Sequence, residues 1–305
     1  MDRREDILCF HRAAACLPPR LRNLAEGLPE EVKARAEELR LRSGRPMTVL
    51  LPEGEAFPWR EAVSGADLEA LVNTVTEYSR YAAAESLRNG YLSARGGCRV
   101  GLCGTAVMKD GVCTGLRELS SAVIRVARER RGVGRAVVPE LFRSGRFQNT
   151  LLLAPPGGGK TTLLRDLVRC LSEGEGCEPQ RVTLLDERGE IAVVFRGRPQ
   201  MDVGRRTDVL DACPKAVGIP MVLRTMNPQI IAVDEITAEE DLRAMASAAN
   251  CGVGLLATIH GATVEEVRQK PLYAHLLAAK VFRRAVRILR QEDGSRRYET
   301  EDLPC

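Results

Sequence analysis

Residues 149–172, reading NTLLLAPPGGGKTTLLRDLVRCLS, constrain this 305-residue chain more than any other stretch. Residues 149–153 are an apolar run of strand length that opens directly onto Ala154, Pro155, Pro156, Gly157, Gly158, Gly159, Lys160, Thr161 and Thr162. From Thr161 onward Leu163, Leu164, Leu167, Val168 and Leu171 recur at helical spacing. A glycine-rich loop held between a strand end and a helix N-terminus is the setting of a P-loop. Its backbone N–H groups turn inward around a triphosphate, the helix dipole favours the anion, Lys160 reaches the β/γ-phosphates and Thr161 ligates Mg²⁺. ATP and Mg²⁺ are therefore the expected ligands. The strict pattern opens on glycine, whereas this chain has Ala154, which adds a methyl and gives up easy access to positive φ. A glycine-rich surface turn is the alternative; the unbroken order of strand, loop, Lys-Thr-Thr and helix argues against it.

A second stretch, QIIAVDEI at 229–236, is an apolar strand ending in two acids about seventy residues after the loop. That form and spacing suit a Walker B element, with Asp234 holding Mg²⁺ through its water shell and Glu235 orienting and polarising the attacking water. Two further strand ends carry polar groups. Residues 181–185 run into Asp186, Glu187, Arg188, Gly189 and Glu190, which in an open α/β sheet face the ligand crevice, a solvated turn being the competing reading. Residues 254–259, GLLATI, end at His260, either a structural histidine or a sensor of the γ-phosphate. Arginines cluster at Arg125, Arg128, Arg130, Arg131 and Arg135, as a solvated linker or as a source of one cation over a nucleotide phosphate.

Length and pattern give two domains, an α+β domain over 1–134 that includes the arginine-rich linker, and an α/β domain over 135–305. In the first, 6–28 reads as two short helices broken at Pro18-Pro19, and 38–51 as a hairpin turning at Ser43-Gly44. Residues 66–88 read as a helix burying Leu68, Leu71, Val72, Val75 and Tyr78, and 99–102, 105–108, 112–116 and 122–127 as separate strands. In the second, a short helix lies near 138–142, 202–216 is a polar segment, 218–225 and 239–249 are helices, and 281–289 with 296–300 form a terminal hairpin around Asp293-Gly294. A net charge of +4 with 44% hydrophobic and 28% charged residues indicates neither a disordered chain nor a blanket nucleic-acid binder. The ten cysteines include no C-x-x-C pair, so they read mostly as small buried hydrophobes in a reducing compartment. The N-terminus lacks a signal-peptide apolar core, and the uncharged run 244–264 changes from helix to strand character midway, which fits a buried passage better than a membrane span.

Taken in order, PPGGGKTT, LLDERGE, LRTMNPQIIAVDEI and GLLATIHG resemble the Walker A, Asp box, Walker B and His box of the secretion and pilus-retraction ATPases. ELRLRSGRPMTVL resembles the hairpin that opens the PAS-like N-terminal domain of those enzymes. AEELRLRSGRP, GGCRVGLCGTAV, SSAVIRVARE, DVGRRTDVLDACPKA and ATIHG resemble the stage III sporulation AA family of endospore-forming Firmicutes more closely still. The resemblance implies a RecA-like P-loop core behind a smaller PAS-like α+β domain, and an ATPase working as a homohexameric ring. It implies arginines reaching the nucleotide: Arg125 and Arg128 from the first domain, Arg205 and Arg206 near the Asp box, Arg224 before Walker B, with Glu187 as the Asp-box acid. It also implies a cytoplasmic protein, peripheral at the inner membrane on the mother-cell side of the forespore, energising a channel of membrane-embedded sporulation proteins. The four-cysteine metal module of many type II secretion ATPases is absent, so no zinc is expected.

Two rival readings share the core. A RecA-class nucleic-acid motor would need basic-aromatic stretches for stacking bases, and the chain is 4% aromatic, so no nucleic acid is expected. A nucleotide-binding interaction protein with little turnover would be favoured by loss of Lys160, Thr161, Asp234 or Glu235, and all four are present.

Overall fold

The computed structural model describes residues 3–77, 79, 84–88, 90–291 and 294–303. They fall into two compact units, Met1–Arg128 with Val193–Gln200, and Glu129–Ala192 with Met201–Cys305.

The first unit has helices α1 (Arg3–Ala14), α2 (Pro19–Glu26), α3 (Glu30–Arg35), α4 (Gly65–Val75) and α5 (Ala84–Arg88). Its strands are β1 (Glu38–Arg42), β2 (Thr48–Leu51), β3 (Gly54–Ala56), β4 (Tyr91–Ser93), β5 (Arg99–Lys109) and β6 (Val112–Arg125), in an antiparallel sheet of order β3-β2-β1-β6-β5-β4. The hairpin expected at 38–51 forms, with Leu39 opposite Val49. Its two-residue period sends Leu39 and Leu41 into a core with Phe10, Leu17, Leu68, Leu71 and Ile124, and leaves Arg40 and Arg42 on the wetter face. Ser64 and Asp67 cap α4 reciprocally, and Glu77, at φ +48°, follows its last turn. The helix is thus shorter than the pattern over 66–88, and Tyr78 lies outside the described residues.

The four short strands expected between 99 and 127 are two long ones. Glycine punctuation misleads here because Gly104 sits at a bulge, where a Cβ would come 2.7 Å from the Arg117 carbonyl oxygen. Val193–Gln200, which follows the Asp186 loop in sequence, belongs to this unit as a small hairpin pairing Val194 with Pro199. Gln200 Oε1 accepts from the Gly96 N–H at 2.9 Å, and Arg196 pairs with Glu77 at 2.6 Å.

The second unit carries β7 (Thr150–Ala154), α6 (Lys160–Glu173), β8 (Val182–Asp186), β9 (Thr207–Asp211), α7 (Lys215–Thr225), β10 (Ile230–Glu235), α8 (Glu239–Asn250), β11 (Gly254–His260), α9 (Val264–Arg268), α10 (Pro271–Ala278), β12 (Arg284–Arg290) and β13 (Arg296–Asp302). Its sheet has the order β9-β8-β10-β11-β7-β12-β13, parallel except for β13. The apolar runs β7, β8 and β10 are buried because helices cover both faces of a parallel sheet. The stripe Leu163, Leu164, Leu167, Val168 and Leu171 of α6 is fully buried. β9 lies within the segment read as merely polar: it is a half-buried edge strand, whose Thr, Asp, Val, Leu, Asp sequence carries little apolar signal. The short helix near 138 is a single 3₁₀ turn, Val138–Leu141. Asp293 of the expected terminal turn lies outside the described residues, as does Cys305.

Of the described cysteines, Cys9, Cys16, Cys98 and Cys170 are buried, whereas Cys103 and Cys251 are exposed and Cys113, Cys177 and Cys213 are intermediate. Burial therefore accounts for fewer of them than the expectation held. Among the described residues no helix is long and apolar enough to cross a membrane, and residues 244–264 are the end of α8, then β11, then the approach to α9.

Candidate functional site

The parallel strands β7, β8, β10 and β11 end at one edge of the second unit's sheet, and a cavity of about 400 Å³ opens there. It is lined by residues 156–162 of the glycine-rich loop, by Arg188 and Glu190 after β8, by Asp234 and Glu235 of β10, by His260 of β11 and by Arg296 of β13. This is the edge where an open α/β sheet takes its ligands.

The loop's shape follows from its glycines. Gly157 and Gly159 have φ of +71° and +100°, and a Cβ on Gly158 would lie 2.6 Å from the Ala154 Cβ and 2.9 Å from the Pro155 carbonyl oxygen. Ala154 is fully buried in β7 and is not among the positive-φ residues, so its methyl carries no backbone penalty at this position. α6 starts at Lys160, directly behind the turn.

β11 lies between the loop strand β7 and the acidic strand β10, with His260 opposite Ala154 in the register. Lys160 Nζ donates to the carbonyls of Ala154 (2.9 Å) and Pro155 (3.3 Å) and to His260 Nδ1 at 2.7 Å. An ammonium can only donate, so Nδ1 accepts and the ring proton sits on Nε2, which faces Glu235 Oε1 at 2.9 Å. Glu235 Oε2 in turn lies 3.4 Å from the Arg188 guanidinium. Lys160, His260, Glu235 and Arg188 thus form one chain of polar contacts across four strand ends.

Asp234 and Glu235 are neighbours in sequence, and on a regular strand their side chains would point to opposite faces. The pairing of β10 with β11 shifts register between Val233 and Glu235, and both acids line the cavity. Asp234 is largely buried, with the Thr258 hydroxyl 3.4 Å away. Burial, followed by the charges of Asp186 and Glu190, raises its carboxyl above the usual range. Burial lowers Lys160 despite the nearby charges of Glu235 and Asp234. Both shifts come first from burial, which leaves each charged form in need of a close counter-charge. A phosphate chain carrying a divalent ion meets both needs, so the residues present fit the expected pair of ligands. Among the described residues no group of three or more His, Cys, Asp and Glu is placed to hold a metal.

The acids after β8 divide. Asp186 is fully buried and accepts from the backbone N–H groups of Glu190 (2.9 Å), Ile191 (3.0 Å) and Ala192 (2.8 Å). Arg165 of α6 holds the same turn from the other side, donating to the carbonyls of Glu190 (2.7 Å) and Ile191 (2.5 Å). Asp186 is therefore the anchor of a loop, and its carboxylate is spent on peptide groups. Glu187 pairs with Lys215 and does not line the cavity; Glu190 does. Of the five arginines that the family resemblance implies, three belong to this unit. Arg205 pairs with Glu173 at 2.8 Å, Arg206 bonds the Ser172 carbonyl at 3.0 Å, and Arg224 is exposed on α7; none lines the cavity. In the first unit, Arg125 lies 3.5 Å from Glu38, while Arg128 pairs with Asp6 at 2.9 Å and donates to the Ala34 carbonyl at 2.9 Å. Arg188 and Arg296 line the cavity without having been assigned a role from the sequence. Arg188 sits within LLDERGE and could have been found by asking which residue after β8 points back; Arg296 had no such signal, since only tertiary folding brings it to the loop.

The family model described as Sporulation stage III, protein AA matches residues 2–299. The chain belongs to that family. It is 37% identical over 282 residues to Stage III sporulation protein AA of Bacillus subtilis, covering 92% of this chain and 91% of that protein. Among solved structures it is similar to the ATPase DotB of Legionella pneumophila, with a TM-score of 0.59 and 15% identity over 93% of this chain and 80% of that one. It is likewise similar to the pilus retraction motor PilT with bound ADP, with a TM-score of 0.58 and 19% identity over 88% of this chain and 79% of that one. At those identities the likeness establishes the fold, that of the RecA-like secretion ATPases.

Proposed function

We propose that this family member hydrolyses ATP with Mg²⁺ as a secretion-type ring ATPase. The observation that carries the reading is the convergence of Lys160, His260, Asp234 and Glu235 on one cleft from three strand ends. The glycine-rich loop would bind the phosphates through its N–H groups and Lys160. Thr161 and Asp234 would hold Mg²⁺, which neutralises charge on the phosphates when bound. Glu235 would accept a hydrogen bond from the attacking water and hold it in line with the γ-phosphorus. His260, hydrogen-bonded to both Lys160 and Glu235, is suited to report whether that phosphoryl group is present.

Charge developing on the γ-phosphoryl group calls for a further cation. Arg224 is exposed on α7; Arg205 and Arg125, whose side chains are 81% and 67% exposed, would leave Glu173 and Glu38 to serve a neighbouring subunit, and the more buried Arg128 would have to give up Asp6 and the Ala34 carbonyl. A homohexamer with a PAS-like first domain follows the family resemblance, as does a peripheral position on the mother-cell side of the forespore membrane, docked on channel proteins. The test is ATP hydrolysis read beside light scattering on a sizing column. Mg²⁺-dependent turnover that rises with assembly is expected; a monomer under every nucleotide condition with no turnover would contradict the proposal.

A further inference from the structure

The cleft has a wall that the catalytic reading leaves unused. β12 pairs in parallel with β7 from Arg284 opposite Thr150 to Arg287 opposite Leu153, and then continues to Arg290. Ile288 is level with Ala154, the last residue of the loop strand, so Leu289 and Arg290 carry β12 about 7 Å past that end. The chain returns antiparallel with Arg296 opposite Arg290. The terminal hairpin therefore overhangs the glycine-rich loop, on the side of β7 opposite to β11 and β10, which bear His260, Asp234 and Glu235.

Arg296 is what the overhang delivers. Its Nε donates to the Gly158 carbonyl at 3.1 Å, and its guanidinium borders the cavity beside Gly159, where even a Cβ would come within 2.6 Å of Nε. That bond uses one of five N–H donors and a neutral acceptor. Among the described residues no carboxylate pairs with Arg296, whereas the other cations of the lining are engaged, Lys160 with His260 and two carbonyls, Arg188 with Glu235. A charged, forked donor held at the mouth of a phosphate-binding loop by its own backbone is preset for bidentate contact with phosphate oxygens.

We propose that Arg296 is a nucleotide-binding residue supplied by the same subunit, gripping the phosphate chain from the face opposite to Asp234 and Glu235. This rests on the nucleotide-binding reading of the cleft. Because it holds the phosphates shared by ADP and ATP, its contribution is to ground-state binding: removing it raises Kd and KM and leaves kcat little changed.

Titration calorimetry of the full chain with ADP and with a non-hydrolysable ATP analogue, both with Mg²⁺, tests this for wild type, Arg296→Ala, Arg296→Lys and Arg297→Ala. The expected result is about a 10- to 100-fold weakening for both nucleotides in Arg296→Ala, partial recovery in Arg296→Lys, and wild-type affinity in Arg297→Ala, whose side chain lies on the other face of β13. A flatter dependence of affinity on salt should accompany the alanine change. Thermal melts establish that each variant is folded, and Arg296→Gln replaces the alanine variant if that one is not. Wild-type binding with an unchanged Arg296→Ala or Arg296→Gln affinity overturns the assignment alone; absence of binding by wild type overturns the nucleotide reading with it.

Discussion

A single proton fixes much of the chemistry in this cleft. Lys160 donates to His260 Nδ1, so Nε2 keeps its hydrogen and presents it to Glu235. Phosphate oxygens of a bound nucleotide would compete for the same lysine hydrogens, so its entry would bear on the histidine and through it on the glutamate. Replacing Glu235 by Gln keeps the side chain's shape and one oxygen for His260 while removing the carboxylate. The expected outcome is retained nucleotide affinity with turnover lowered about 10²- to 10⁴-fold, measured by calorimetry beside phosphate release; undiminished hydrolysis would remove Glu235 from its role. The residues that make this site were largely legible in the sequence because a phosphate loop and a paired-acid strand end are local patterns. Ala154 was legible too, as a departure whose cost depended on a backbone angle that only folding reveals. Arg296 was not, since 138 residues separate it from the glycine whose carbonyl it holds.

At the scale of elements, the strongest discrepancy lies around β8 and β9. The acids after β8 look like a ligand shelf, yet Asp186 is consumed in capping its own loop, because three consecutive peptide N–H groups would otherwise be buried unpaired. β9 then brings Asp211 alongside, opposite Asp186 in the register. Burial, and after it the charge of Asp186, pushes the Asp211 carboxyl up to about 6. An acid whose folded value is raised contributes stability that is full below the unfolded value near 4 and is lost as pH rises through the folded value. The chain should therefore lose stability between about pH 4 and pH 6 from this group, by roughly 1–2 kcal/mol after allowance for partial exposure. Asp211→Asn should remove that slope and gain a similar amount at neutral pH, as read from denaturant midpoints across the range; an unchanged slope would show that the group titrates normally. Strands such as β7, β10 and β11 were legible because burial on both faces demands continuous apolar runs. Edge strand β9 escaped notice because its half-wet setting tolerates alternating acids, and β5 and β6 looked broken because glycines that serve bulges resemble glycines that end strands.

For the whole molecule, the family is established and the fold of the second unit explains why its four motifs meet: each sits at the end of a neighbouring parallel strand. One loop, one histidine and one pair of acids reach a common space only because β11 is inserted between β7 and β10. The same topology leaves the terminal hairpin as the opposite wall. The proposed assembly, membrane position and use of ATP all presuppose that this space takes a nucleotide, and Lys160 is the side chain on which that would depend most. Calorimetry with Mg²⁺ and ATP on wild type and a folded Lys160→Ala variant is the direct measurement. Affinity should fall about 100-fold or more in the variant; equal affinity in the two proteins, or none in wild type, would contradict the account.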